Sequence, residues 1–423
     1  MTLMIIALII MLVCMAMGTH AAIAMGLVTT GLVLFLDGVP TVVIAQTAFK
    51  SVNSYPLMAI PMFVLAGNFM MKGQIAELIL ELVGSVVRAV RGGMALTAML
   101  ASIFFAAVSG SSVGAAAAIG SSTVEGLKRE KYPTNFSAAI VAVGGTLGLM
   151  IPPSLGFILI GSIVGLPVDK LFIAGVLPGL LEAALLTITV MSISRRRGYG
   201  TKVMKADWGT FSRRLPKAGA AIMMPVLVLG AIYTGFLTPT EVAAFAAVYA
   251  AFLCLFVYRT VNINGMWDAT RESILQTTMI FAVVMGGSLI GFVLARMGVS
   301  AALVESITAM NISTFEFLLI VNIVLLLLGM FLDGVSLIVL TAPLLFPVAT
   351  AMGVDPIHFA VIMVANVEIA TLTPPIGLNL FVMSGIARIP IHEVVRGVMP
   401  FYATRLLGLG IITYVPAVSL LLI

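Results

Sequence analysis

The chain alternates long apolar runs with short polar stretches, and most of the runs have the length of a membrane-spanning helix. About 20 consecutive apolar residues cross a hydrocarbon core about 30 Å thick. The runs cover roughly residues 3 to 18, 20 to 36, 56 to 71, 172 to 193, 219 to 237, 240 to 258 and 276 to 295. Runs of this length predict helices rather than the shorter strands of a barrel. No Lys or Arg precedes Lys50, so the first run is predicted to be a retained span and not a signal peptide.

Two further apolar stretches are interrupted near their centres by small and polar residues. They read VSGSSVGAAAAIGSST and MFLDGVSLIVLTAP. The interrupting residues are Ser109, Gly110, Ser111 and Ser112 in the first stretch and Asp333, Gly334 and Ser336 in the second. Because the flanks are too short to span alone, we expect re-entrant hairpins over about 94–127 and 316–350.

Adjacent prolines break two other apolar stretches, GGTLGLMIPPSLG and IMVANVEIATLTPPIGLNLF. Proline cannot continue an α-helix, so broken helices are expected over about 135–165 and 357–386. The second is predicted to stop around residues 370–373 and to resume with Pro374 in its first turn.

The two halves of the chain carry the same landmarks in the same order, separated by 222 to 225 positions. The pairs are Gly73 with Gly298, Gly110 with Gly334, Pro133 with Pro356, Phe136 with Phe359, Pro152-Pro153 with Pro374-Pro375, Pro167 with Pro390, Gly175 with Gly397, and Pro178 with Pro400. This order predicts an internal repeat. We expect a first repeat over 1–194, a linker over 195–217 and a second repeat over 218–423.

The composition predicts a membrane protein, and the distribution of charged residues predicts its orientation in the membrane. The sequence is 61% hydrophobic and 9% charged, with mean hydropathy +1.20, which predicts an all-α polytopic membrane protein. Residues 195–217 hold eight Lys or Arg against one Asp and are predicted to face the cytoplasm. An odd number of crossings in each half then inverts the second repeat and places both termini in the periplasm. No basic face interleaved with aromatic residues indicates nucleic acid binding.

Broken helices present free carbonyls and helix ends at the membrane midplane, where ions and substrates bind in many transporters. We expect one cation site in each half, where a hairpin tip meets a break, and Na+ suits such oxygen ligands. The predicted break ligands are the carbonyls near Gly148, Ile151, Ala370 and Thr373 and the hydroxyls of Thr146, Thr371 and Thr373. Ser154 and Asn379 are predicted at the N-termini of the downstream half-helices, where a substrate carboxylate is favoured.

Glu368 is the sharpest single candidate, because an acid inside a membrane is a functional candidate by default. It is predicted either to act as a coupling acid for an ion or proton, or to pair with a backbone group. No arginine is clearly placed within the membrane to clamp an acid substrate. His20, His358 and His392 lie near predicted span ends, which favours interfacial positions.

Close packing is the plainer interpretation of the small residues, because Gly, Ala and Ser are common where membrane helices touch. It would be preferred for SGSSVGAAAAIG alone. The pairing of this stretch with a proline break, repeated in the second half, favours ligation instead.

The whole chain resembles the large membrane subunit, of the DctM type, of a tripartite ATP-independent periplasmic (TRAP) transporter. The resemblance is carried by MTLMIIALIIMLV, IPMFVLAGNFMMKG, VSGSSVG, GLMIPPS, GFLTPTEVAAFAAVYA and TPPIGLNLFV. It implies sodium-driven uptake of a small organic acid across a bacterial inner membrane by an elevator motion. The acid would be of the C4-dicarboxylate, keto acid or sialic acid class. The implied partners are a small membrane subunit of the DctQ type and a soluble periplasmic binding protein.

The ion-site pattern of this family falls on two groups of residues in this chain. The first is Ser109, Ser111 and Ser112 with Gly148, Ile151 and Pro153, and the second is Asp333 and Ser336 with Thr371, Thr373 and Pro375. The resemblance thus implies Na+ as the coupling ion and no other cofactor.

Two other functions are weighed against this one. A self-sufficient Na+/carboxylate symporter would need neither partner, and the TPTE and PP signatures argue against it. An intramembrane serine protease could use Ser111 or Ser112 as nucleophile, but it needs a histidine within reach, and none is convincingly placed. No GxxxxGK[ST] motif is present, so neither ATP hydrolysis nor another enzyme activity is expected.

Overall fold

The computed structural model describes residues 19–35, 42–200 and 205–423, together with residues 10, 11, 13, 14 and 40. The regular structure of these residues is entirely helical. The predicted first span, residues 3 to 18, lies almost wholly outside the described residues.

Between residue 19 and the basic linker, the described residues form nine α-helices. They are α1 (Ala21–Phe35), α2 (Val42–Val52), α3 (Ala59–Lys72), α4 (Ile75–Val87), α5 (Gly93–Ser109), α6 (Ser112–Arg129), α7 (Thr134–Thr146), α8 (Leu155–Val164) and α9 (Val168–Arg196). Short 3-10 turns, Pro56–Met58 and Leu147–Leu149, precede α3 and follow α7.

Residues 205–423, all of them described, form ten more α-helices. They are α10 (Trp208–Tyr233), α11 (Pro239–Phe252), α12 (Ile263–Arg296), α13 (Val299–Ala309), α14 (Thr314–Gly329), α15 (Gly334–Ala351), α16 (Pro356–Ala370), α17 (Leu378–Ala387), α18 (Ile391–Tyr414) and α19 (Ala417–Leu420). A π-helical turn, Leu253–Tyr258, continues α11. Asp207 caps α10, and hydrogen bonds from Thr210 lower the pKa of this carboxyl.

Five described helices are long and apolar enough to cross a membrane: α9, α10, α11 with its continuation, α12 and α15. The pair α2 and α3, bent by 61°, would make a sixth. The predicted runs at 172–193, 240–258 and 276–295 lie within α9, α11 with its continuation and α12, and the run at 219–237 overlaps α10 as far as Tyr233. At 18 residues, α15 is itself long enough to span. Its assignment to a re-entrant hairpin therefore stays a prediction.

The TPTE stretch starts α11 and also holds the bend between α2 and α3. Thr238 accepts from the Glu241 N–H while the Glu241 carboxylate accepts from the Thr238 N–H, which is a capping box. Pro239 occupies the first helical position, where a missing N–H costs nothing. The Thr240 hydroxyl donates to the Tyr55 carbonyl at 3.1 Å, within the bend.

Two helix pairs, α5 with α6 in the first half and α14 with α15 in the second, each contact a half-helix of the other half. The half-helix after the first break, α8, packs on α15, the second arm of the later helix pair. Reciprocally, α17 packs on α6, the second arm of the earlier pair. Helix α16 lies at the centre, and every residue from His358 to Ala370 is buried. Helices α2 and α13, by contrast, bury no residue.

Candidate functional site

A cavity of about 510 Å³ lies where the two helix pairs meet the two breaks. Its walls include residues 109–114 between α5 and α6 and residues 333–335 at the start of α15. Leu149 and Leu155 line it beside the first break, and Thr371 and Leu378 beside the second. One cavity is therefore lined by both tips, the turns before α6 and α15, and by both breaks, the interruptions after α7 and α16.

The first tip is a tight turn that rests on the first break. Gly110 ends α5 with φ +61°, and a Cβ atom there would lie 2.7 Å from the Pro153 carbonyl oxygen. Only glycine fits this combination of left-handed backbone and close approach. Ser111 then caps α6, accepting from the Gly114 N–H at 3.1 Å.

The first break keeps most of its polar groups paired locally. The Ser154 hydroxyl caps α8 and donates to the Leu149 carbonyl. The Thr146 hydroxyl donates to the Val143 carbonyl at 2.8 Å, which leaves the oxygen lone pairs free to accept. Gly148 passes close to α5, because a Cβ there would lie 2.8 Å from the Ala106 carbonyl oxygen.

The second tip is built around a carboxylate. Asp333 caps α15, and its Oδ2 accepts from the N–H groups of Val335 and Ser336 at 3.1 and 3.3 Å. Its Oδ1 accepts from the Ser336 hydroxyl. The carboxylate is half-buried and has lone pairs beyond these three bonds.

The second break runs from the end of α16 at Ala370 to the start of α17 at Leu378. The predicted stop is confirmed, but the prediction that Pro374 begins the continuation is wrong. Gly377, with φ +46°, precedes α17 and turns the chain into it. The Thr371 hydroxyl donates to the Glu368 carbonyl at 2.7 Å, and the Thr371 carbonyl accepts from the Asn379 N–H at 3.2 Å.

Five of the predicted site residues line the cavity: Ser109, Ser111, Ser112, Asp333 and Thr371. The cavity lining does not include Thr146, Gly148, Ile151, Pro153, Ser154, Ser336, Thr373, Pro375, Glu368 or Asn379. Several of these pack directly behind the lining, as Ser336 does behind Asp333. Their roles as ligands stay predictions.

Residues 8–418 match the family model described as "Tripartite ATP-independent periplasmic transporter, DctM component". The C4-dicarboxylate TRAP transporter large permease protein DctM of Pseudomonas aeruginosa is 40% identical over 381 residues, covering 90% of this chain and 88% of that protein. The isethionate TRAP transporter permease protein DctMQ of Oleidesulfovibrio alaskensis is 37% identical, covering 96% of this chain and 64% of that protein.

The chain belongs to the DctM family. It is therefore a large permease subunit of a TRAP transporter and not an enzyme. Among solved structures, the efflux pump MtrF of Neisseria gonorrhoeae aligns with a TM-score of 0.60 at 12% identity, covering 89% of this chain and 84% of that chain. This likeness shows a shared transporter fold.

Asn379 joins the two halves of the permease behind the cavity. It is fully buried, and its amide Nδ2 donates to the Ser112 hydroxyl at 2.7 Å and to the Ala142 carbonyl at 2.9 Å. Its Oδ1 has no hydrogen-bond partner. Asn379 and Ser112, predicted for different sites, are thus brought together.

Two polar residues that were not predicted from the sequence also line the cavity, Asn68 of α3 and Gln276 of α12. The Asn68 amide donates to the Ser273 hydroxyl at 2.8 Å and to Gln276 Oε1 at 3.1 Å. A polar side chain within an apolar run was the available signal. Both helices lie outside the hairpins and breaks on which the prediction concentrated.

Glu368 pairs with an arginine and not with a backbone group. Arg405 of α18 donates to Glu368 at 2.9 Å and to Glu182 of α9 at 2.5 Å. All three side chains are fully buried. Arg405 is thus a buried arginine, but it does not line the cavity, so the expectation that no arginine is clearly placed to clamp an acid substrate stays a prediction. Arg405 was visible in the apolar run YATRLLGLGIITYV, but its partners lie 37 and 223 positions away.

The histidines take different positions. His20 and His392 are exposed, whereas His358 is buried and contacts the Ser419 hydroxyl and the Thr413 carbonyl, both at 3.2 Å. His358 lies in the first turn of α16, so its predicted position near a span end stays a prediction. In the described part of the chain, no histidine is hydrogen-bonded to Ser111 or Ser112.

Within the described residues, no group of three or more His, Cys, Asp or Glu side chains could hold a metal ion. Among the described residues, the oxygens at the cavity are instead those of hydroxyls, backbone carbonyls, the Asn68 and Gln276 amides and the Asp333 carboxylate. Oxygen ligands of this kind suit a hard cation better than a soft metal that prefers thiolate ligands.

Proposed function

We propose that this permease subunit couples Na+ entry to the uptake of a small organic acid. The single observation that carries the proposal is the cavity, which both tips and both breaks line. A substrate in this cavity would lie within contact of the residues predicted to bind cations in either half. Coupling requires such proximity, because each ligand can favour the other only through shared contacts or charge.

The first proposed cation site comprises Ser109, Ser111 and Ser112 with Gly148, Ile151 and Pro153, with Thr146 beside them. The second comprises Asp333 and Ser336 with Thr371, Thr373 and Pro375. The hydroxyls of Thr146 and Thr371 each direct their proton to a carbonyl within their own helix. Their lone pairs are therefore available to a cation.

The substrate is proposed to bind between the tips, near the starts of α8 and α17, where Ser154 and Asn379 lie. Helix N-termini favour a carboxylate through their free N–H groups and positive end. The named relatives transport C4-dicarboxylates and isethionate, and both are small organic anions. A C4-dicarboxylate, a keto acid or a sialic acid fits the proposed class.

The proposed partners are a DctQ-type small membrane subunit and a periplasmic binding protein, in a bacterial inner membrane. Two inverted repeats and an elevator motion are proposed as well. Two sequence-equivalent contacts support the repeat: Ala106 meets Gly148, and Gly329 meets Ala370. In that motion, the hairpins and the broken helices would move together as the mobile domain that carries the substrate.

The test is uptake into proteoliposomes that contain both membrane subunits, with a panel of radiolabelled C4-dicarboxylates, keto acids and sialic acids. Uptake of at least one acid should require both an inward Na+ gradient and its binding protein. Uptake unchanged in choline buffer would exclude Na+ coupling. Uptake without the binding protein would favour the self-sufficient symporter.

A separate prediction concerns topology. Residues 195–217 should lie in the cytoplasm and the C-terminus in the periplasm. Arg197 is exposed with ordinary backbone angles, so Arg197→Cys is a suitable labelling site, unlike Gly198 with φ +67°. A membrane-impermeant thiol reagent applied to spheroplasts should label a cysteine added at the C-terminus and not Arg197→Cys. Labelling of both from one side would contradict the inverted repeat.

A further inference from the structure

Two amide side chains lie side by side on the part of the cavity wall that α3 and α12 form. They belong to Asn68 and Gln276, and the other lining residues of these two helices are apolar or glycine. Gln276 follows the first residue of α12, Ile263, by 13 positions, roughly 20 Å along the helix axis. A polar side chain so far inside an apolar helix is a functional candidate by default.

The hydrogen bonds behind Gln276 fix the orientation of both amides. The Ser273 hydroxyl donates to the Ala269 carbonyl at 2.7 Å, so its oxygen can only accept from Asn68. The Asn68 atom at 2.8 Å from that oxygen must therefore be the nitrogen Nδ2. The second hydrogen of the same nitrogen reaches Gln276 at 3.1 Å, and the atom that accepts it must be the oxygen Oε1.

This orientation leaves the Gln276 nitrogen free. Among the described residues, Gln276 Nε2 has no hydrogen-bond acceptor, so both of its N–H groups are available. Both N–H groups of Asn68 are already engaged. No Lys, Arg, His or Trp occurs among the described residues that line the cavity. Gln276 therefore provides the free side-chain N–H donors of this wall.

An organic acid in the cavity would need such donors. It leaves water on entry, and an oxygen that loses its water without gaining a donor or a cation costs free energy. The charged side chain among the described lining residues is Asp333, which repels an anion. Hydrogen bonds to a charged acceptor are about twice as strong as those between neutral groups, so an amide aimed at a carboxylate is an effective ligand.

We propose that Gln276 is a substrate-binding residue whose amide N–H groups donate to an oxygen of the transported acid. Asn68 is a positioning residue that aims this amide. The inference rests on the proposed function, because it takes the cavity to hold an organic acid. A site that hydrogen-bonds one oxygen of its substrate discriminates strongly against analogues without it. Gln276 thus selects acids that present a carboxylate, keto or hydroxyl oxygen toward α12.

A plainer role for the amide pair would be to join α3 to α12, since polar side chains often bond across membrane helices. That role requires only the bond from Asn68 to Gln276 Oε1, and it leaves Nε2 without a partner. It predicts that replacing Gln276 lowers stability and leaves the binding of an acid unchanged. Substrate binding predicts the reverse.

Thermal unfolding of the full-length protein with its small subunit in detergent tests the contact. The probes are succinate, pyruvate and N-acetylneuraminate at saturating Na+, and at least one should raise the wild-type midpoint. Gln276→Met keeps the length of the side chain and removes both N–H groups. It should need roughly tenfold more of that acid for the same rise, because one hydrogen bond to a charged group is lost. Its Na+ titration without acid should match that of wild type.

The possible failures are distinguishable. Equal acid titrations for Gln276→Met and wild type would overturn the inference and leave the proposed function standing. A lower midpoint for Gln276→Met with an unchanged acid requirement would assign the amide pair to the helix contact alone. A wild type that none of the three acids stabilises would overturn the proposed function, and this inference with it.

Two further variants make the comparison specific. Gln46→Met makes the same exchange at an exposed glutamine of α2, which does not line the cavity, and it should behave as wild type. Gln276→Glu replaces the N–H groups with a carboxylate that can still accept from Asn68. It should weaken acid binding at least as much as Gln276→Met, and it decides the matter if Gln276→Met fails to fold.

A double-mutant cycle tests the positioning role of Asn68. Asn68→Leu keeps the volume and removes the donor that orients Gln276, so it should raise the acid requirement and leave the Na+ titration unchanged. In the Gln276→Met background it should raise the acid requirement no further, because the amide that it orients is already gone. Additive shifts in the two variants would overturn the positioning role.

Discussion

The turns before α6 and α15, here the first and second tip, line one cavity, and each satisfies the start of its helix with different chemistry. Each must satisfy the free N–H groups at the start of a buried helix arm. Ser111 does so with a neutral hydroxyl and a single bond, whereas Asp333 accepts from two N–H groups and from the Ser336 hydroxyl. The second tip therefore brings a charge to the cavity and the first does not.

The breaks differ in the same direction. Leu149 and Thr371 are 222 positions apart and both line the cavity. Each carbonyl accepts a bond from the start of the following half-helix, from the Ser154 hydroxyl or from the Asn379 N–H. Thr371 adds a hydroxyl where Leu149 has none. We infer that the second tip and break would bind a cation more strongly than the first tip and break.

The largest effect on stability is expected at the close helix contact that occurs in both halves, where Gly148 meets Ala106 and Gly329 meets Ala370. Gly148→Ala and Gly329→Ala would place a Cβ atom 2.8 Å from the Ala106 carbonyl oxygen and 2.4 Å from the Ala370 Cβ atom. Such overpacking destabilises by roughly 1 to 3 kcal/mol. Thermal unfolding in detergent should show a lower midpoint for both variants. Gly230→Ala and Gly410→Ala are the controls, since nothing lies within 4 Å of either added Cβ atom. A tolerated alanine at one position would show that the two contacts are not equivalent.

Asp333→Asn should sharpen the electrostatic difference. Asparagine caps helices as well as aspartate does, so the change removes the charge and keeps the cap. Na+ should stabilise the variant at concentrations roughly ten- to hundredfold higher than for wild type, a loss of about 1.4 to 2.8 kcal/mol. The measurement is a Na+ titration of the thermal midpoint, which needs no substrate.

Asp355→Asn is the matched control for that titration. Asp355 caps α16 with bonds to the N–H groups of Ile357 and His358 at 2.8 and 3.1 Å, away from the cavity. Its Na+ dependence should equal that of wild type. Equal curves for both aspartate variants would remove Asp333 from the second cation site.

Thr371→Val should weaken Na+ binding less than Asp333→Asn does. It removes one hydroxyl at the cavity wall while keeping shape, and losing one of several oxygen ligands weakens Na+ binding by about tenfold. Thr373→Val should change binding less, because the Thr373 hydroxyl donates to the Ile369 carbonyl at 2.7 Å and does not line the cavity. The same Na+ titration compares them. A larger shift in the required Na+ concentration for Thr373→Val than for Thr371→Val would indicate that the cation binds closer to Thr373 than to the cavity wall.

Local chemistry explains which features could be predicted from sequence. Helix α16 ends at Ala370 because the prolines that follow cannot extend it, and this signal is present in the letters alone. The restart at Leu378 could not be predicted, because the turn at Gly377 depends on how the break packs against the tip. The Ile376 N–H, for example, donates to the Met330 carbonyl at 3.2 Å.

Contacts between the halves lay beyond prediction for a related reason. Asn379 was expected at a helix start facing substrate; it lies in the first turn of α17, and Ser112 engages its amide behind the cavity. Arg405 has meaning only once α9 and α16 have been brought beside α18. Sequence patterns identify the polar residues inside a membrane, whereas their partners follow from the assembled fold.

The bond between Thr240 and Tyr55 has a consequence for how the protein is made. The two residues are 185 positions apart, and ribosomes add about 5 to 20 residues each second. The bend at Tyr55 therefore emerges on the order of ten seconds or more before the hydroxyl that holds it. During biosynthesis the N-terminal helices must wait in the membrane with this corner unsecured, and the TPTE segment completes it only when the second half of the chain arrives.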